Sequence, residues 1–237
     1  MKMKTSNKIL FSFLLFAWVS IMATLLVSFR YSELRGLSMI EKMETKTWEI
    51  AGEFSVVSIS DSWVTFLDGS AKGQIKYLKV LTSHNRDVDF GDPDPFSQEV
   101  RNDTLFIKGM RQKPNGNFSI QVAGIKSIIM DQVTEVRLRK MALDSLKVIS
   151  TAGELVMEKD HGVKHLDFEG KNESSLLIEG IESLNLLLDQ SKADLQLYLG
   201  GISGQVINRS EVTLPSQSGA MNLSKDKTSK ILVEDEM

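Results

Sequence analysis

From residue 126 onward the sequence carries two interleaved series of short apolar strands, and this double periodicity restricts the fold more than any other feature. One series runs Lys126-Ser-Ile-Ile-Met, Ser145-Leu-Lys-Val-Ile, His165-Leu-Asp-Phe-Glu, Ser183-Leu-Asn-Leu-Leu and Gly204-Gln-Val-Ile-Asn. The other runs Glu135-Val-Arg-Leu, Glu154-Leu-Val-Met, Ser175-Leu-Leu-Ile, Asp194-Leu-Gln-Leu and Glu211-Val-Thr-Leu. Within each series the steps are close to 19 residues. The first series aligns Ile128, Leu146, Leu166, Leu184 and Val206; the second aligns Val136, Leu155, Leu176, Leu195 and Val212. Apolar and polar residues alternate in Leu195-Gln-Leu-Tyr-Leu199 and Leu166-Asp-Phe168, the period of a half-buried strand. A repeat of this length, holding two strands and polar turns, is the signature of a solenoid, because one coil cannot bury its apolar face until others stack on it. An antiparallel sandwich also spaces its strands at short intervals, but it needs hairpin turns. Asn-Gly and Asp-Gly turns are nearly missing after residue 118, and leucines recur at twice the strand spacing. The pattern predicts an all-β chain, a right-handed parallel β-helix with its coils over residues 118–233.

Upstream, residues 48–117 hold less periodic β-type runs and are expected to form an N-terminal β region or capping coils. Thr104-Leu-Phe-Ile-Lys reads as a strand, Pro114-Asn-Gly-Asn as a turn, and the Asp- and Pro-rich stretch from Asp87 to Phe96 as a loop. Downstream, a last strand at Ile231-Leu-Val233 caps the solenoid or starts a solvated tail. Its charged end, with residues 234–237 as an acidic tail, would discourage edge-to-edge pairing.

Near the N-terminus, residues 9–29 run 21 positions without a charge, about 31 Å as a helix and enough to cross a hydrocarbon core. Lys2, Lys4 and Lys8 precede the run, so residues 1–8 are expected in the cytoplasm and the C-terminal domain outside it. The run is longer than a secretory h-region and ends without a small-x-small site, which favours an uncleaved single-pass anchor over a cleaved signal. Residues 30–47 then read as a juxtamembrane stem. The lipid bilayer is the expected partner of residues 9–29, and the inner membrane with a periplasmic domain the expected location.

Charge and composition remove several function classes. The 28 Lys+Arg and 31 Asp+Glu give a net −3, and setting aside residues 1–29 leaves −6 on the exported part. An acidic ectodomain of this kind excludes a nucleic-acid partner and disfavours anionic polymers and lipid headgroups. With no cysteine there is no disulfide scaffold, thiolate metal site or Cys nucleophile.

Candidate chemistry is sparse. His161 and His165, flanked by Asp160 and Asp167, have the i, i+4 spacing of a helical metal pair. In extended chain that spacing is about 13 Å, so the pair is expected to be surface turn histidines. Asp87, Asp89, Asp92 and Asp94 surround Gly91 with hard oxygen donors suited to calcium, but they follow neither an EF-hand nor a calcium β-roll pattern. Asp189 and Asp194 are a nominal carboxylate pair for glycan cleavage, among 31 acids where pairs arise by chance. No nucleophile elbow, phosphate loop or dinucleotide fingerprint occurs. The Asn-x-Ser/Thr triplets at Asn102, Asn117, Asn172, Asn208 and Asn222 are at chance level. No catalytic, cofactor-binding or metal-ligating residue is assigned.

Asn102-Asp-Thr-Leu-Phe-Ile-Lys, the stretch from Gly124 to Val136, the stretch from Asp144 to Leu155, and the stretch from Ser183 to Leu195 together carry a family pattern. It resembles the auto-transporter adhesin head family, the GIN domain of Gram-negative cell-envelope proteins, over roughly residues 50–215. That family alternates Leu-x-hydrophobic strands with small-residue corners. Here the corners read Asp-Gln-Val-Thr, Ser-Thr-Ala-Gly and Gln-Ser-Lys-Ala, a partial match. The resemblance implies a β-helical domain outside the cytoplasm and offers no catalytic motif to carry over. The expected function is a membrane-anchored, non-enzymatic binding or scaffolding module whose partner is an envelope protein or a glycan. The alternatives are a polysaccharide-active β-helix enzyme and a periplasmic sensing arm of a membrane signalling pair.

Overall fold

The computed structural model of the chain describes residues 13–24, 43–49, 52–62, 64–69, 77–83, 97–108, 116–122 and 124–233. Two compact units separate at Glu44 and Thr45. In the first, residues 13–24 are helical, and Thr24 Oγ1 donates to Ser20 O at 2.6 Å, a bond within the helix. Among the described residues no helix is long and apolar enough to cross a membrane. The rest of the 9–29 run, most of the stem and the acidic tail lie outside the described residues, as does the Asp87–Asp94 loop. The last part of the predicted stem is a strand, β1 (Met43–Glu49).

The second unit is a parallel β-solenoid. Six consecutive coils each contribute one strand to each of two ladders. They are β8 (Ser127–Asp131) with β9 (Glu135–Arg139), β10 (Leu143–Ser150) with β11 (Glu154–Met157), and β12 (Val163–Lys171) with β13 (Ser175–Ile181). Next come β14 (Ser183–Asp189) with the first part of β15 (Lys192–Ile207), the last part of β15 with β16 (Glu211–Leu214), and β17 (Ser218–Lys225) with β18 (Lys230–Val233). All pairings among these strands are parallel. β15 serves both ladders, pairing with β13 up to Leu199 and with β14 from Ile202.

The interior is a set of stacked columns. One runs through Val57, Ile128, Val148, Phe168, Leu186, Gly204 and Leu223, in that spatial order. Opposite it lies Thr65, Val136, Leu155, Leu176, Ala193, Val212 and Ile231. Phe168 is the bulkiest of the fully buried side chains, and Gly170 two residues on leaves it room: a Cβ there would stand 2.7 Å from the ring. Burial of a column residue removes its side chain from water on both rungs, worth about 1.5–3 kcal/mol for a Leu or Val.

The predicted columns hold in direction and slip along the strand. Leu146, Leu166 and Leu184 do stack in register, and Val136, Leu155 and Leu176 likewise. Ile128, however, lies beside Val148, Val206 beside Leu188, and Leu195 beside Ile178. These slips are even-numbered, so every one of these residues still faces inward.

The N-terminal strands are stacked out of chain order. β2 (Val56–Ser60) pairs with both β6 (Thr104–Lys108) and β8, while β3 (Val64–Asp68) pairs with both β7 (Gly116–Gln121) and β9. The earliest coil is thus wedged between two later ones. Beyond it, the end is closed by reversed strands: β5 (Ser97–Arg101) pairs antiparallel with β6, and β4 (Tyr77–Ser83) antiparallel with β7.

Two corners turn each coil. In one, Asp61, Gln132, Asn172, Gln190 and Asn208 take left-handed backbone, with φ of 52°, 51°, 50°, 53° and 56°. Asn and Asp pay least for this conformation, which gives Asn172 and Asn208 a structural reason to be there. Just inside that corner Ser174, Ser191, Ser210 and Ser229 are buried and bond the backbone of their own or the adjacent coil.

Candidate binding surface

At the N-terminal end of the first ladder, β5, β6 and β2 present their outward residues to one groove of about 490 Å³. Strand alternation puts Leu105 and Ile107 into the core, so Phe106 between them must face out. It is 43% exposed, a large aromatic side chain on the outer face. Antiparallel register sets Glu99 directly across from Phe106. Arg101 stands two residues along the same strand face, and its Nη2 donates to both Glu99 oxygens, at 2.7 and 2.9 Å. Ser58, Ser60, Ser97, Gln98 and Lys108 complete the polar lining. The groove therefore combines a flat apolar platform with hydroxyl donors, a carboxylate, a guanidinium and an ammonium. Groups of this kind hold a polar, ring-shaped ligand in a fixed orientation.

Further along the same face, Ile129 follows as an exposed apolar residue, and a polar pair lies on either side of its column. There Asn185 Nδ2 donates to Asp167 Oδ1 at 2.9 Å, and Asn208 Nδ2 donates to Asp189 Oδ1 at 2.8 Å. The opposite face carries charge. Arg137 is bonded to Glu135 and lies 2.8 Å from Glu158, which together hold its guanidinium above the ordinary arginine value. Arg139 stacks over Phe66 with its guanidinium carbon 4.4 Å from the ring centre.

The residues singled out from the sequence are not assembled into chemistry. His161 is not a surface histidine: it is buried in a corner, where Nδ1 accepts from the Val163 N–H at 2.9 Å and Nε2 donates to Gly180 O at 2.8 Å. Both ring nitrogens are thereby committed, Nδ1 to its own turn and Nε2 to the adjacent coil, while His165 lies outward on β12. Among the described residues no group of three or more His, Cys, Asp or Glu could hold a metal ion. Asp189 and Asp194 fall on different ladders, so the nominal carboxylate pair does not flank a common substrate. Asp194 accepts from Gln196 at 3.3 Å, and its other oxygen is buried without a hydrogen-bond partner among the described residues.

Two solved structures share this architecture. One is named a "putative adhesin" from Bacteroides fragilis NCTC 9343, 14% identical, covering 81% of this chain and 97% of that one with a TM-score of 0.52. The other is a "putative adhesin" from Parabacteroides distasonis ATCC 8503, 10% identical, covering 81% of this chain and 94% of that one with a TM-score of 0.51. The chain shares their fold. No protein-family model and no curated protein matches the sequence.

The sequence reading missed the groove. One signal for it was present: in Thr104-Leu-Phe-Ile-Lys the aromatic occupies the outward phase of a strand whose other apolar residues point in.

Proposed function

We propose that the protein is a membrane-anchored, extracytoplasmic and non-enzymatic binding module of the bacterial cell envelope, an adhesin-head-like β-helix of the GIN type. Its groove on β2, β5 and β6 takes a glycan, with a pyranose ring against Phe106 and its hydroxyls met by Glu99, Arg101 and the serines. The observation that carries this reading is the outward Phe106 beside the Glu99–Arg101 pair in the groove on β2, β5 and β6. The likeness in fold to structures named as adhesins supports a binding role. Supporting the anchor are the uncharged run of residues 9–29 and the exposure of Phe13, Phe16, Trp18 and Ile21 on the helical residues within it.

The test uses the full chain in detergent with polysaccharide extracted from the envelope. Binding that falls at least about tenfold in Phe106→Ala, with no new reducing ends released, supports the reading. Glycan cleavage, or binding indifferent to Phe106, overturns it. For the anchor, the protein stays with membranes after carbonate washing; a soluble product starting after residue 23 ends that part of the proposal.

A further inference from the structure

Charge is divided unevenly across the floor of the groove. Strand register sets Ser97, Lys108 and Ser60 in one row across β5, β6 and β2, and Glu99, Phe106 and Ser58 in the next. Glu99 is turned away from the Lys108 row, toward Arg101. Its oxygens take Arg101 Nε at 3.2 Å and Nη2 at 2.7 and 2.9 Å, so these two charges cancel. At the other end stands the Lys108 ammonium, which among the described residues has no carboxylate within ion-pairing distance. The lining therefore holds two cations and one anion. Lys108 has a serine on the strand to either side, each about 4.8 Å away along the row. The Ser97 hydroxyl reaches Lys108 O only at 3.5 Å, a bond weak enough to exchange for a ligand oxygen. Asp131 continues the row beyond Ser60, two strands and roughly 10 Å from Lys108, and already accepts from the Thr151 hydroxyl at 3.0 Å.

We propose that the groove selects an acidic sugar, with the ring against Phe106 and a carboxylate of that ring at Lys108, between the hydroxyls of Ser97 and Ser60. This rests on the glycan reading of the groove and adds the chemical class of the sugar. Lys108 follows Phe106 by two residues on one strand face, about 7 Å, so a ring held by the one presents a substituent to the other. An ammonium and two O–H donors supply the bonds a carboxylate accepts. One positive charge matches one carboxylate, whereas a phosphate monoester brings nearly two negative charges. The chain as a whole is acidic, but at physiological salt charges are screened over about 8 Å, so a bound ring feels the groove's own charges. A uronic-acid unit in a mostly neutral glycan meets both conditions, and a dense polyanion does not.

The test takes the full-length chain in detergent and envelope polysaccharide in three forms: untreated, carboxyl-reduced and phosphatase-treated. Carboxyl reduction is expected to weaken binding about tenfold, and phosphatase to leave it unchanged. Lys108→Gln should cause the same loss with the untreated polysaccharide and none with the carboxyl-reduced form, which has no charge left to meet. Lys108 is exposed at the end of β6, so the variant keeps the fold. Raised salt should weaken binding by the unaltered protein and leave Lys108→Gln unaffected. If Phe106→Ala abolishes binding while Lys108→Gln and carboxyl reduction change nothing, the acidic-sugar inference falls and the glycan reading stands. Loss of binding on phosphatase treatment also overturns the inference. Binding indifferent to Phe106 in every form overturns the glycan reading, and the inference with it.

Discussion

The hydroxyl oxygen of Ser229 accepts a hydrogen bond from the backbone N–H of Ser210, 3.2 Å away and one coil earlier. Ser210 repeats the arrangement for Ser191, whose N–H lies 3.1 Å from its hydroxyl oxygen. At this inner corner the ladder geometry cannot supply carbonyls to every N–H, and a small hydroxyl residue fills the gap without crowding the turn.

Replacing Ser210 by alanine strips the Ser191 N–H of its acceptor inside the protein. The expected loss is about 1–3 kcal/mol, the cost of a buried donor left unsatisfied. Ser203→Ala, on the outer face, should stay within about 0.5 kcal/mol. Denaturation midpoints of the two variants make the comparison.

Leu184 stacks between Leu166 and Ile202 and is 1% exposed. Leu184→Ala should cost about 2–5 kcal/mol through the cavity it leaves. Leu184→Asp should unfold the C-terminal coils, because a lone carboxylate has no partner in the column. Amide exchange resolved along the chain would show the lost protection centred on β12, β14 and β15.

Gly204 occupies a core column with φ of 134°, and a Cβ there would sit 1.9 Å from Leu186 O. Gly204→Ala must therefore both strain the backbone and displace the neighbouring strand. It is expected to destabilise by more than the roughly 1–3 kcal/mol of backbone strain alone. A melting temperature equal to that of the unaltered protein would refute the packing described for this rung.

Asp226 receives hydrogen bonds from Ser229, from the Asn208 backbone N–H and from Thr228, and these hold its carboxyl well below the ordinary aspartate value of 3.8. A depressed carboxyl stabilises the fold fully above its unfolded value, and that contribution drains away as the pH falls through the folded one. Stability of the last coil should thus decline in acid below about pH 4, and Asp226→Asn should flatten that decline while lowering stability at neutral pH. The check is a series of thermal melts across that range.

Much of this architecture was legible because a period of two and a period near 19 act together. Leu146, Leu166 and Leu184 show both, and they stack as the sequence says. Which column a residue joins is weaker information, since Ile128 could slip by two residues along its strand, or Val206 by four, and still face inward. The wedge of β2 and β3 between later coils was hidden for a related reason: apolar alternation states that a coil stacks, not upon which neighbour. β17 was missed because its inward residues, Met221, Leu223 and Lys225, end the core and break the leucine pattern. His161 misled because its partners, the Val163 N–H and Gly180 O, are backbone groups that no spacing of side chains reveals. The groove depends on the reversed strand β5 beside β6, a pairing outside the repeat altogether.

The most direct test of the functional account is a photo-reactive phenylalanine analogue at position 106, activated in living cells that express the full-length chain. The account predicts an adduct with an envelope glycan, lost when Arg101 is replaced by alanine. Adducts only with cytoplasmic components, or the same products when the analogue replaces Ser203 on the outer face far from the groove, would contradict it.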